Sequence, residues 1–444
     1  MPSCEVTRSF TLEYPMPNKT QSQTAELEKP TRVRYKVAVL TVFLAMITYL
    51  DRVCIATLAP NIMAEFTLTK VQMGYVFSAF ALAYAVFEIP TARYADRIGT
   101  RAILARIVIW WSVFTMATGM AFNFVSLLVA RFLFGAGEAG AWPSVARTFG
   151  RWVPKKERGT LQSFFFSAAF LAGALTPVIV TWLLGIISWR IVFILFGCSG
   201  LVWALIWSLW FRNEPSEHPG VNAAERTLIA NGVEPAAIHV GGRRFWRKII
   251  LNRNVLALCL MYFPNSFAFY FCITWLPTYL KERHDFTTGS INIFTGLPLM
   301  LSVPGVILGG VAVDRLTARY GERVGRCGLG AVAYGVAAIS LLIVPSCSNP
   351  VMAAALIALA VAANTFTLSA AWGTCIEIGG NNSGVVSATM NTASQVGSFL
   401  SPLLVAYTLK WFNNWDISIY VMSLLFFVGV ACWLVIDPRK RVLD

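Results

Sequence analysis

Four charged residues stand where charge is least expected. The stretch "MITYLDRVCIA", Met46 to Ala56, sets Asp51 and Arg52 side by side in a run, Val37 to Leu58, that carries no other charge. A second run, "VARFLFGAGEAGAWPS", holds Arg131 and Glu138 seven residues apart. Seven residues is nearly two helical turns, so both project from one helix face. Each run is long enough, at ~1.5 Å rise per residue, to span a bilayer as a helix. A charge near the middle of such a helix costs at least ~2.5–3.5 kcal/mol on insertion scales. That cost points to chemistry. Arginine matches a planar carboxylate with two parallel hydrogen bonds. A buried Asp or Glu can carry a proton. The alternative is a structural salt-bridge network, whose desolvation cost apolar packing would avoid.

The elements that must position these charges are membrane helices. The chain has 444 residues, 57% hydrophobic and 13% charged, with a mean hydropathy of +0.63. Soluble domains carry about 25% charged residues. Twelve apolar stretches are predicted, at 37–58, 72–91, 102–121, 125–146, 161–185, 190–211, 254–280, 291–313, 327–345, 351–373, 385–409 and 417–436. Long runs of this kind exclude a β-barrel, whose strands alternate over about ten residues. The expected class is an all-α membrane protein, twelve helices in two pseudo-symmetric six-helix bundles.

The domain reading follows. Residues 1–36 are a polar, disordered cytosolic tail without the apolar core of a signal peptide. The tail contains the Asn18-Lys19-Thr20 sequon, out of reach of glycosylation. Residues 37–211 form the first bundle and 212–253 a basic central cytosolic loop. Residues 254–437 form the second bundle and 438–444 a cytosolic C-terminus. The net charge of +14 could indicate nucleic acid, but its distribution does not. Most Lys and Arg fall in the tail, the even-numbered connections and the C-terminus. The odd-numbered connections hold only Lys70, Arg190, Lys281, Arg283 and Lys410. This bias is the positive-inside rule and puts both termini in the cytoplasm of a multi-pass cell-membrane protein, expected to be a bacterial inner-membrane one. The nine cysteines are scattered, with neither metal-ligand spacing nor a disulfide framework. No metal and no cofactor is expected.

The halves repeat one another. Gly159 precedes Pro177, and Gly384 precedes Pro402, by the same interval, in "GALTP" and "GSFLSP". "ARYADRIGTR" after the second stretch and "GVAVDRLTARYGER" after the eighth both place a small residue four before an Asp-Arg pair, Asp96-Arg97 and Asp314-Arg315. Internal repeats with Gly/Pro-interrupted helices mark secondary transporters, whose site lies between the halves near the midplane. With its central basic loop, the chain over about 37–437 resembles the major facilitator superfamily. "YLDR", "ARFLFGAGEAG" and "TWLPTYL" resemble its anion:cation symporter branch, which includes sugar-acid, phthalate and sialic-acid carriers.

The resemblance implies roles. The first and fourth helices would line one central cavity, bringing Asp51, Arg52, Arg131 and Glu138 together. Residues matching Asp51 and Glu138 carry protons in the sugar-acid symporters, and the match to Arg52 binds the substrate carboxylate. Arg131 would tune Glu138. Tyr84 matches a substrate-donating position. In the cytoplasmic motif, Asp96, Arg97 and Arg101 would hold a gate shut against the eleventh helix, with Asp314 and Arg315 as counterparts. Ala92 replaces the usual Gly there. The residues themselves add Tyr49, three before Arg52 on the same face, and Asn391 and Gln395, four apart. Trp372 is a further candidate, ahead of Ser369 and Thr374. Sugar-acid carriers of the branch often hold a Gln in the fifth span, where "FFFSAAFLAGA" supplies only Ser167. That disfavours a galactonate-like pose. Glu88 and Glu377 read as gate or surface residues at span ends.

The expected function is proton-coupled uptake of a small organic anion, a sugar acid or related carboxylate, by a monomer working by alternating access. The alternatives are a sodium-coupled or uncoupled carrier, or an efflux pump, of the same fold. Outside transport, a non-transporting membrane sensor or a membrane enzyme remains. With no His in any span, no metal spacing and no nucleotide loop, a catalytic reading has nothing to stand on.

Overall fold

The computed structural model describes residues 29–230, 247–249, 251–380 and 383–440, apart from the side chains at 89, 92, 93, 95–97, 155, 156, 383 and 384. The sequon and most of the N-terminal tail lie outside the described residues. Among them, eleven helical stretches are long and apolar enough to cross a membrane. The twelfth long helix, Ser383–Phe412, is 30 residues but more polar. Asn391, Gln395 and several Ser and Thr interrupt it. The first helix, Val33–Phe66, begins four residues earlier than its apolar run.

Contacts repeat with a shift of six spans. The first span, Val33–Phe66, packs on the fifth, Lys155–Leu184; the seventh, Arg253–Thr274, packs on the eleventh, Ser383–Phe412. The second, Lys70–Ile98, packs on the fourth; the eighth, Thr288–Tyr320, packs on the tenth. The third, Thr100–Gly119, packs on the sixth, Trp189–Trp210; the ninth, Leu329–Ile343, packs on the twelfth, Asp416–Val435. The halves meet where the second span touches the eleventh and the fifth touches the eighth, so the polar eleventh helix lies at the centre instead of in lipid. The protein is an all-α membrane protein of two pseudo-symmetric bundles.

Among the described residues three spans are broken: the seventh, into Arg253–Thr274 and Leu276–His284, and two others. The fourth consists of Phe124–Glu138 and Ala141–Trp152. The tenth consists of Pro350–Phe366 and Leu368–Gly379. Irregular backbone at membrane depth is tolerated where it is buried in protein or lines a cavity.

Part of the central loop belongs to the first bundle. Glu225, on the short helix Ala223–Ala230, is fully buried. It accepts hydrogen bonds from the backbone of Val33 and Arg34 and from Arg34 Nη1 at 3.0 Å. A carboxylate at the N-terminus of the first helix satisfies otherwise unpaired N–H groups. His218 packs between Trp152 and Trp210, with ring centroids 5.8 and 4.8 Å away. Thr31, Glu225 and Asp437 thus mark one end of the molecule, the terminal end; Asn254 Nδ2 donates to the Asp437 carbonyl there at 3.1 Å.

Candidate functional site

The site is built around Arg52. Its Nε donates to Glu138 Oε1 at 2.5 Å, and Nη2 pairs with the same oxygen. Glu138 is fully buried, and its second oxygen has no hydrogen-bond partner among the described residues. The helix break places it: the first half of the fourth span ends on Glu138, and Gly140 follows at φ +87°. That conformation is strained for any residue with a Cβ. One turn earlier, a Cβ on Gly135 would lie 2.4 Å from the Phe80 carbonyl. The second and fourth spans therefore touch backbone to backbone, which brings Phe80 beside Arg52.

Aromatic rings fix the guanidinium. Its carbon lies 5.1 Å from the Tyr84 ring, 5.2 Å from Phe80 and 5.9 Å from both Tyr49 and Trp142. Such contacts hold a cation electrostatically without using its N–H donors. Arg52 is thus fixed in direction and, among the described residues, bonded to a single carboxylate oxygen; Nη2 is buried, and Nη1 is the donor left for an anion.

Arg52 lines a cavity of about 660 Å³ between the halves, within the ~300–1,000 Å³ typical of small-molecule sites. Tyr49, Tyr84, Trp372, Asn391 and Gln395 line it as well. Trp372 Nε1 donates to the Tyr262 hydroxyl at 3.2 Å, and the buried Oε1 of Gln395 has no partner among the described residues. The walls continue past Phe149 and Ile376, close to the helix ends on the terminal side. The cavity opens there. The opposite end is closed. Lys70 pairs with Glu282 at 2.5 Å, the Tyr75 and Tyr407 hydroxyls share a hydrogen bond of 2.6 Å, and Ser78 donates to the Phe399 carbonyl. A separate cleft between the first, fifth and eighth spans is almost wholly apolar and carries no charged side chain.

The four intramembrane charges do not share one cavity. Asp51 and Arg131, about 1% and 2% exposed, lie in the packed interior of the first bundle and are not part of the cavity wall. Successive helix residues point about 100° apart, so Asp51 turns away when Arg52 faces the cavity. Among the described residues, Nε and Nη1 of Arg131 make no hydrogen bond, and the Asp51 oxygens make none of standard geometry. The Arg131 guanidinium lies 4.2 Å from the Phe134 ring and 5.4 Å from Phe80. Phe80 therefore sits against both guanidiniums.

The repeated motif residues are elsewhere. The side chains of Asp96 and Arg97 lie outside the described ones. Arg101 braces the first bundle internally: Nε donates to the Ser208 carbonyl at 3.0 Å, and its backbone N–H to Asn213. Asp314 and Arg315 are exposed and make no hydrogen bond or ion pair among the described residues. The Arg326–Glu377 pair, 3.2 Å, instead ties the start of the ninth span to the tenth. Thr374 is buried and returns its hydroxyl to the Ala370 carbonyl.

Several wall residues escaped the sequence reading. Glu88 ends the apolar span Lys70–Glu88, and its helix continues to Ile98. It lines the cavity and accepts a hydrogen bond of 3.3 Å from Asn391 Nδ2, across the two halves. Its spacing of four from Tyr84 was the available signal. Gln162 supplies a fifth-span amide, seven residues into the helix and upstream of the stretch that lacked one. Trp142, Tyr262 and Tyr270 complete the aromatic wall.

The comparisons with known proteins agree with this architecture. The model of the Major Facilitator Superfamily matches residues 41–402. A probable sulfoacetate transporter of Cupriavidus necator is 32% identical over 419 residues, covering 94% of this chain and 96% of that protein. A D-galactonate transporter of Escherichia coli is 30% identical over 426 residues, covering 93% and 98%. Among solved structures, a bacterial homologue of the human lysosomal transporter Spinster, inward-facing and unoccupied, superposes with a TM-score of 0.71 at 19% identity, over 91% of this chain and 97% of that one. The relatives are transporters and not enzymes, and the chain belongs to the Major Facilitator Superfamily.

Proposed function

We propose that the protein is a proton-coupled secondary transporter that takes up a small organic anion by alternating access. The observation that carries the reading is Arg52 at the cavity wall, held by one buried carboxylate, Glu138. Deprotonated Glu138 competes with the anion for Arg52. Protonation of Glu138 frees the guanidinium, and anion and proton then bind together. Release of both restores the internal pair and permits the return step. The coupling is reciprocal: each ligand raises the affinity of the other. Asp51, buried beside Arg52 in sequence but on another face, is the second proton-carrying carboxyl, and Arg131 tunes the pair.

The relatives named as sulfoacetate and galactonate transporters support a carboxylate-bearing cargo. The distribution of Lys and Arg supports a cytoplasmic terminal end, so the open cavity is the inward-facing one. Asp96 and Arg97 close that end in the other state. Uptake into proteoliposomes with and without an inward proton gradient, compared with sodium, tests the reading. Gradient-driven accumulation of a carboxylate that falls about tenfold or more in Arg52→Lys is the expected result. Accumulation driven by sodium alone would replace it with a sodium-coupled carrier.

A further inference from the structure

Glu88 is a second charged pole of the cavity, and the competition between Glu138 and the anion does not use it. It rises from the same helix face as Tyr84, one turn nearer the open end, which places it on the order of 6 Å further along the axis. The Tyr84 ring is itself 5.1 Å from the Arg52 guanidinium. Arg52 and Glu88 form no ion pair within 4 Å; Arg52 pairs with Glu138 instead. Among the described residues the Glu88 carboxylate has one hydrogen bond, the long one from Asn391. Tyr84, Trp142, Tyr270 and Trp372 line the same cavity as the two poles.

The charge balance makes this arrangement specific. The charged side chains on the cavity wall are Arg52 and Glu88. With Glu88 ionised and a proton on Glu138, which pairs with Arg52, the wall is neutral. A simple anion then leaves a net negative charge in a largely apolar enclosure, which is costly. A substrate that also carries a positive group leaves none. Aromatic faces add cation–π attraction for an ammonium, strongest where water is excluded. A hydroxyl could donate to Glu88, but it would leave the charge uncompensated.

We infer that the cargo is a zwitterion: an anionic carboxylate or sulfonate seated on Arg52, and an ammonium group, primary or quaternary, a few bonds away on Glu88 and the neighbouring rings. The inference rests on the anion-binding role of Arg52 proposed above and narrows its substrate class. It also gives the Glu88–Asn391 contact a function. Cargo that draws Glu88 away from Asn391 loosens a link between the second and eleventh spans, the pair on which the halves meet.

The test is binding to the purified full-length protein, measured calorimetrically with four probes of matched chain length. They are butyrate, γ-hydroxybutyrate, γ-aminobutyrate and its trimethylammonium analogue. In the wild type at least one of the two ammonium probes binds about tenfold or more tighter than butyrate and γ-hydroxybutyrate. In Glu88→Gln that advantage disappears, while butyrate binds as well or better. Equal binding of butyrate, γ-hydroxybutyrate and the ammonium probes by the wild type overturns the inference, whether or not the variant folds. An ammonium advantage that survives in Glu88→Gln overturns the role of Glu88. Binding of plain carboxylates that depends on Arg52 but gains nothing from an ammonium defeats this inference alone. No carboxylate binding, with Arg52→Ala silent, defeats the anion-transport reading as well.

Discussion

Arg52 and Glu138 lie 86 residues apart in the chain and are joined by a hydrogen bond of 2.5 Å from Nε to Oε1. The pair bridges the first and fourth spans at the cavity wall, and the guanidinium has no second acid within 4 Å among the described residues.

Arg52→Lys is expected to lower uptake about tenfold or more although the charge is kept. A lysine ammonium is a point charge that can neither reproduce the planar fork nor fill the ring-lined slot between Tyr84 and Phe80. Radiolabelled uptake at matched protein level measures it. Near-normal uptake would remove Arg52 from the substrate site.

Glu138→Gln is expected to abolish gradient-driven uptake and to leave counterflow partly active. The neutral amide mimics the protonated acid, so exchange continues while coupling is lost. Equal loss of both activities would make Glu138 a structural residue.

Gly74→Val is expected to shift the protein toward the state open at the far end. A Cβ at Gly74 already meets the Ala406 Cβ at 2.9 Å and the Pro402 carbonyl at 3.1 Å. A branched side chain there wedges the second span from the eleventh, next to the Tyr75–Tyr407 hydrogen bond. Thiol labelling of a cysteine introduced at Ser78 should speed up. An unchanged rate would mean that this crossing is not the far-end gate.

Much of the site was visible in the chain because a charge inside an apolar run is conspicuous and helical spacing assigns its face. Asp51, Arg52, Arg131 and Glu138 stood out in this way, and Tyr49 followed from its spacing. Trp142, Tyr262 and Tyr270 did not, because an aromatic residue in an apolar helix reads the same whether it meets lipid, core or cavity. Glu88 stands at the end of the apolar span, as expected, but its place on the cavity wall was hidden because the second helix runs ten residues past it as a charged, less apolar extension. The separation of Asp51 and Arg131 from the cavity depends on helix rotation and on the break at Gly140, which small residues around Glu138 disguise as close packing. The docking of Glu225 on the first helix is a contact across 191 residues, and no local pattern announces it.

Glu225→Gln should cost about 1.5–3 kcal/mol, the range for hydrogen bonds to charged groups. It weakens the cap on the first helix and leaves Arg34 with Glu157 as its one acid among the described residues. Chemical denaturation in detergent is the measurement. A loss much below ~1 kcal/mol would show that the loop segment adds little to the first bundle.

His218 should make that docking sensitive to acid. Burial holds its pKa below the ordinary histidine value, and the positive charges of Arg212 and Lys36 add to this. Its Nδ1 accepts from the Gly220 N–H at 3.1 Å, which requires the neutral ring. The undocked state therefore binds the proton more readily. Docking is at full strength above the ordinary histidine range, about pH 6.5, and weakens as the pH falls through it. Hydrogen exchange over 211–230 should rise below that range in the wild type and lose this dependence in His218→Phe. Identical profiles would assign the acid response to another group.

The most direct measurement is the affinity of the purified protein for a carboxylate ligand from about pH 5 to about pH 8, the window in which physiological switches titrate. If deprotonated Glu138 competes with the ligand for Arg52, wild-type affinity rises as the pH falls, and in Glu138→Gln most of that rise is lost, with affinity close to the high-affinity level throughout. A wild-type curve that is flat over that range, or a Glu138→Gln curve that keeps the wild-type slope, would contradict the competition between Glu138 and the anion.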